Sequence, residues 1–258
     1  DDILKHYDRL FITDTNASAA VQRKIAEWVK DSGKLWACAG ALQWDEFQQY
    51  CPVLDPVFGV KRREMVKAEP TVITADSPLF GGKVELPTTD QLLAAEPDTA
   101  QVIGVYADGK PAVFYNKYGK GEALLVGALV GNVYQQQHYA EGSIKTPGGT
   151  YEGGADAQRL LNTFTADADR PVVCSVPGIL TTVMDGPQGS VVFLNNATYS
   201  AKPPEDRPAP TVTVRVQLNS PVTSVESAKY GKLKYEVTDG VLTVTLPVPN
   251  ADILMIKR

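Results

Sequence analysis

The stretch "RLFITDTNASAAVQRKIAEWVKDSGKLWACAG", Arg9 to Gly40, decides how this chain is read. Two short apolar runs, RLFIT and KLWACAG, flank a segment in which Val21, Ile25, Trp28 and Val29 recur at helical spacing. Asn16 or Ser18 can cap the helix, and Gly33 can supply a left-handed residue that stops it. A strand, a helix and a second strand of these lengths read as a right-handed crossover between parallel neighbours. The expected inner helix face is Val21, Ile25 and Val29, with Gln22, Arg23 and Glu27 in water.

Outside this unit the pattern changes. Cys51-Pro52, Asp55-Pro56 and Phe58-Gly59 break the chain, and short strands with Pro and Gly-Gly punctuation follow to about Leu86. "QVIGVYADGKPAVFYNKYGKGEALLVGALVG", Gln101 to Gly131, carries a hairpin turn at Asp108-Gly109 and ends in a buried strand, EALLVGAL. Leu160, Leu161 and Phe164 mark a later helix. Arg170-Pro171 reads as a boundary, and beyond it no helix is expected. In "TVTVRVQL" Val212, Val214, Val216 and Leu218 share one face, as in a half-buried strand. "KLKYEVTDGVLTVTL" is a hairpin about Asp239-Gly240, while SVVFL and ILMI read as fully buried strands. Strands at this spacing predict a β-sandwich.

Composition bounds the function. Hydrophobic residues at 43% and charged residues at 21% are enough to build a core in a soluble chain of 258 residues. The net charge of −5, without a basic stripe, argues against nucleic acid as a partner. No apolar run approaches the ~20 residues of a membrane-spanning helix. No leader pattern opens the chain, so any signal peptide is removed or lies upstream; the compartment stays open between periplasmic or secreted and cytoplasmic. Three cysteines and two histidines give no metal-ligand spacing, and nothing calls for a cofactor.

"YDRLFITDTNASAAVQRKIAEWVKDSGKLWACAG" together with "YADGKPAVFYNKYGKGEALLVGAL" resembles the class I glutamine amidotransferase-like domain of large β-galactosidases, their trimerisation domain. The β-module after it resembles the small C-terminal sandwich of such hydrolases. The resemblance implies an α/β fold: a flavodoxin-like, amidotransferase-like, mostly parallel sheet with helices over residues 1–170, with a β-rich insertion at about 60–118. An all-β sandwich over 171–258 follows. In that family one or two further β-α units precede the equivalent of YDRLFITD, which favours reading this chain as part of a longer one. The implied role is a non-catalytic accessory region of a larger carbohydrate-active, glycoside hydrolase-like protein, serving assembly or substrate-site shaping. Its partners are other domains or subunits of that protein, including further copies of the chain.

Two other roles stay open. A cysteine-dependent glutaminase-like amide hydrolase would use Cys38 as nucleophile with His138 and Glu141 as its base and orienting group. Against it, Trp36 stands where a nucleophile elbow needs a small residue, and His138-Tyr139-Ala140-Glu141 is one residue longer than the family's His-x-Glu pair. A carbohydrate-binding module would use Trp44, Asp45 and Glu46, aromatic stacking beside carboxylates that accept hydroxyl protons.

Overall fold

The structure, a computed structural model, describes residues 3–133, 154–165, 170–176, 179–196, 209–218 and 220–258. Among the described residues, 3–133 and 154–164 form one compact unit, and those from 165 on form the other.

In the first unit, β1 (Arg9–Ile12), α1 (Ala19–Asp31) and β2 (Lys34–Cys38) form the expected crossover, with β1 and β2 parallel and Arg9 opposite Lys34. A one-turn helix, α2 (Asp55–Phe58), and β3 (Val60–Lys67) come next. Then follow β4 (Val72–Ser77), β5 (Gly82–Pro87), β6 (Gln91–Pro97), β7 (Gln101–Tyr106), β8 (Pro111–Tyr118), β9 (Gly121–Val126) and a helix, α3 (Gly154–Leu161). Among the described residues one seven-stranded sheet runs β1-β2-β9-β8-β7-β4-β5, and β3 pairs with β6 as a separate ribbon.

This is not the flavodoxin-like, mostly parallel α/β fold that the sequence suggested. Among the described residues only the β1–β2 and β2–β9 strand pairs are parallel; β8, β7, β4 and β5 extend the sheet antiparallel. Strand accounts for 51% of the structure and helix for 17%. The cause lies in residues 60–118, expected as an insertion. They supply four strands of the main sheet itself, joined by short turns such as the one at Asp108-Gly109, where Gly109 takes φ 83°. An antiparallel neighbour reached through a tight turn needs no crossover helix.

The sheet is buried on both faces, which explains the near-continuous apolarity of KLWAC and EALLV. Leu35, Ala37, Phe114, Ala123 and Leu125 face Ile25 and Val29 of α1 and Val57 and Phe58 of α2. Trp36, Cys38, Leu124 and Val126 face the other way, toward Ala157 and Leu160 of α3 and Phe164 beyond it. The inner face of α1 is offset from the expected one. Ile25 and Val29 are buried, but Val21 is 46% exposed and Gln22 is fully buried, its Nε2 donating to the carbonyls of Ala17 and Trp44 at 3.0 and 3.1 Å. Ser18 caps the helix, its Oγ accepting from Val21 N. Gly33 does not adopt a left-handed conformation. It is small for room: a Cβ there would lie 2.4 Å from the Trp28 ring.

The second unit is a two-sheet sandwich. Its strands are β10 (Val172–Cys174), β11 (Ile179–Gly186), β12 (Gly189–Asn196), β13 (Thr211–Gln217), β14 (Ser224–Ser227), β15 (Gly231–Lys232), β16 (Tyr235–Thr238), β17 (Val241–Pro247) and β18 (Ala251–Lys257). Among the described residues one sheet runs β10-β13-β17-β16 and the other β11-β12-β18-β14-β15. Val212, Val214, Val216, Leu242 and Val244 of the first share one core with Val192, Leu194, Val225, Leu254 and Ile256 of the second. Asp239 and Gly240, at φ 50° and 76°, make the two-residue hairpin turn between β16 and β17. SVVFL and ILMI are not fully buried as expected. Val191, Phe193, Ile253 and Met255 point away from the core. Among the described residues no helix is long and apolar enough to cross a membrane.

Candidate functional site

The thiol of Cys38 lies at the end of β2, where strands of an open α/β sheet commonly present their chemistry. It is buried in the sheet, and burial pushes its pKa up to about 11. Its Sγ–H points at the Ala39 carbonyl, 3.8 Å away. Beyond Cys38 the chain forms no activating helix. It doubles back through Gly40 and Leu42, both left-handed at φ 76° and 48°. Of the five backbone donors from Ala39 to Gln43 four are taken: Ala39 N–H by Ala128 O, Ala41 N–H by Cys38 O, Leu42 N–H by Asp14 O and Gln43 N–H by Gly40 O. An oxyanion hole needs such donors free and converging on one point. Trp36, the residue too bulky for an elbow, fills the core beside Cys38 and donates from Nε1 to the Leu160 carbonyl at 2.9 Å. His138 and Glu141 lie outside the described residues.

A buried ionic cluster that sequence reasoning did not single out locks this turn. Arg63 Nε donates to Asp55 Oδ1 at 2.8 Å, and its Nη1 and Nη2 donate to the carbonyls of Ala41 and Leu42. The Tyr50 hydroxyl donates to Asp55 Oδ2 and accepts from Arg63 N–H, while the Phe58 ring stacks 4.9 Å from the guanidinium carbon. Burial, then the hydrogen bond to Asp55, pushes Tyr50 up to about 12. Every polar group in the cluster is paired, so it acts as a clamp rather than a reactive centre.

The signal for it was the run Lys61-Arg62-Arg63, which reads as solvated charge. A register shift between Val60 and Arg62 in the β3–β6 pairing changes the alternation, so that Val60 and Arg63 both point inward.

The loop proposed for carbohydrate is used in holding α1. Glu46 Oε2 accepts from Ala19 N–H in the helix's first turn, and Asp45 Oδ1 accepts from Phe47 and Gln49 N–H. Trp44 is half-buried and bridges Asn16 and Tyr50 through its backbone. Two clefts lie elsewhere on this unit. One, of about 830 Å³, lies over the β3–β6 ribbon and is lined by Arg62, Glu64, Val66, Leu92, Tyr106 and Lys110. The other, of about 770 Å³, is an apolar groove between α1 and the outer edge of β1, lined by Leu4, Tyr7, Leu10, Val21 and Trp28. Among the described residues no cluster of His, Cys, Asp and Glu is placed to hold a metal ion.

The first unit is a mixed sheet with helices on both faces, and the second is a two-sheet sandwich. The chain belongs to the beta-galactosidase trimerisation domain family, whose pattern it matches over residues 12–144. That match carries the trimerisation-domain part of the expected resemblance and nothing of the amidotransferase-like part. No curated protein matches the chain. Among solved structures it is similar to a catalytic mutant of a GH42 beta-galactosidase from G. stearothermophilus, at 19% identity and TM-score 0.59, covering 98% of this chain and 32% of that one. It is similar to a beta-galactosidase from Rahnella sp. R3 at 18% identity and TM-score 0.60, with 98% and 32% covered. It is also similar to alpha-L-fucosidase isoenzyme 2 from Paenibacillus thiaminolyticus at 12% identity and TM-score 0.60, with 97% and 41% covered. At such identities the likeness is one of fold. The chain spans about a third of the length of the beta-galactosidases, and both of its units fall within the matched part.

Proposed function

We propose that this chain is a non-catalytic assembly region of a larger glycoside hydrolase, and that its first unit brings copies of that protein together as a trimer. The observation that carries the reading is the closed end of β2. Cys38 is buried with a raised pKa, and the N–H of Ala39, the residue next to it, is spent on the Ala128 carbonyl, as are those of Ala41, Leu42 and Gln43 on other internal carbonyls. Family membership supports the assembly role, and the apolar groove between α1 and β1 offers a surface for it. In this reading glycosidic bond cleavage belongs to the rest of the polypeptide, because a catalytic barrel needs ~250 residues of its own. The test is turnover. The 258-residue chain should hydrolyse neither glutamine nor an aryl galactoside, and Cys38→Ala should change nothing. Glutamine hydrolysis abolished by Cys38→Ala would replace this reading with the amide hydrolase.

A further inference from the structure

The two outer faces of the sandwich differ in kind. On the β10-β13-β17-β16 sheet, Thr213 lies opposite Thr245 and Arg215 opposite Thr243, with the hydroxyls of Thr213 and Thr245 3.0 Å apart. That is a solvated face. On the other sheet, Met184, Val191 and Met255 form one cross-strand row, and Thr182, Phe193 and Ile253 form the next. Leu180 extends the surface along β11. Leu180, Met184 and Phe193 are 58%, 61% and 38% exposed. SVVFL and ILMI have the composition of strands buried on both sides, yet among the described residues the sandwich core covers one side.

Glu226 on β14 stands opposite Met255 and continues the first row, and two ion pairs lie beside the apolar side chains. Lys257 pairs with Glu226 at 3.1 Å, and Arg258 with Asp185 at 2.7 Å. The six side chains themselves are apolar, so the surface that matches them is apolar. The patch is also small. Six apolar side chains fall well short of the about 20–30 residues a side of a stable bimolecular interface. A small surface suffices when the partner is tethered, because covalent linkage raises its effective concentration to the millimolar range.

We infer that the outer face of the β11-β12-β18 sheet is the docking surface for a neutral, apolar face of the same polypeptide outside these 258 residues, which adds a third layer to the sandwich. This rests on the reading that the chain is part of a larger protein. The matched beta-galactosidases, of which it spans 32%, are the precedent for such a tethered partner.

The chain's three methionines provide the probe. Met184 and Met255 lie on the face, and Met65 packs in the first unit. Dilute hydrogen peroxide converts each thioether to a sulfoxide with release of water, at a rate that follows exposure. The rates would be read by mass spectrometry for the 258-residue chain and for the full-length polypeptide. Met184 and Met255 should oxidise roughly tenfold more slowly in the full-length polypeptide, while Met65 keeps its rate. Phe193→Lys should abolish that protection and leave the melting temperature of the 258-residue chain unchanged. Equal Met184 rates in both proteins would overturn the docking surface and leave the accessory role standing. Protection of Met184 in the 258-residue chain that grows with its concentration would assign the face to a second copy and also overturn the inference. A gene product without residues beyond these 258 would remove both the docking surface and the larger-protein reading.

Discussion

Arg63 Nε donates to Asp55 Oδ1 across 2.8 Å, with the two side chains 0% and 3% exposed. The pair joins β3 to α2, and through the carbonyls of Ala41 and Leu42 it fixes the turn that closes the end of β2. Removing one member leaves a buried charge uncompensated. Asp55→Ala should therefore destabilise the first unit by about 3–5 kcal/mol in urea unfolding. Arg63→Met with Asp55→Leu should lose less than the two single changes together, since no unpaired charge is left behind. Strictly additive losses would contradict the clamp.

The offset face of α1 makes a second prediction. Ile25→Ala should cost about 2–4 kcal/mol through the cavity it leaves. Gln22→Ala should cost about 1–3 kcal/mol, because it strips donors from the Ala17 and Trp44 carbonyls. Glu27→Ala, on the wet side, should stay within about 0.5 kcal/mol. Thermal melts followed by circular dichroism would rank them. A Gln22→Ala change as mild as Glu27→Ala would contradict the packing.

How much of this was legible in the sequence depends on distance along the chain. The β1-α1-β2 crossover and the turns at Asp108-Gly109 and Asp239-Gly240 were readable because periodicity and turn chemistry are local. The sandwich was readable for the same reason. The sheet order was not, since nothing in PAVFYNKY says that β8 runs antiparallel beside β9 while β2 runs parallel on its other side. Gln22 reads as a surface residue, and only the Trp44 carbonyl from a distant loop makes it a core one. Arg63 was hidden by the register shift after Val60. Among the site residues, the bulk of Trp36 was informative at once, and Glu46 had no signal that could reveal its place on the first turn of α1.

Burial of Cys38 fixes its reactivity. With its pKa pushed up to about 11, little thiolate exists at neutral pH, and the sulfur has no open approach. In a Cys51→Ala/Cys174→Ala variant, iodoacetamide at pH 7.5 should label the native chain far more slowly than the urea-unfolded one. Labelling as fast in the native state would indicate an open, activated thiol.

Glu122 gives a pH prediction. Burial opposes its charge, but Lys34 Nζ at 2.8 Å and the Tyr115 hydroxyl at 2.6 Å hold its carboxyl below the ordinary 4.5. A depressed carboxyl contributes stability that is present above its unfolded pKa and lost as pH falls through the folded one. Urea midpoints measured from pH 7 down to about pH 3 should therefore converge for the wild type and Glu122→Gln below about pH 4.5, the variant being weaker above it. A constant gap across that window would remove the contribution.

A chain that assembles rather than catalyses shows it in its native mass. Sedimentation equilibrium from about 1 to 100 µM, the span of weak to moderate interfaces, should show a 27.9 kDa chain associating toward three times that mass. Val21→Lys, in the groove beside β1, should shift that association to higher concentration, whereas Phe193→Lys should not. A single 27.9 kDa species at every concentration would contradict the account.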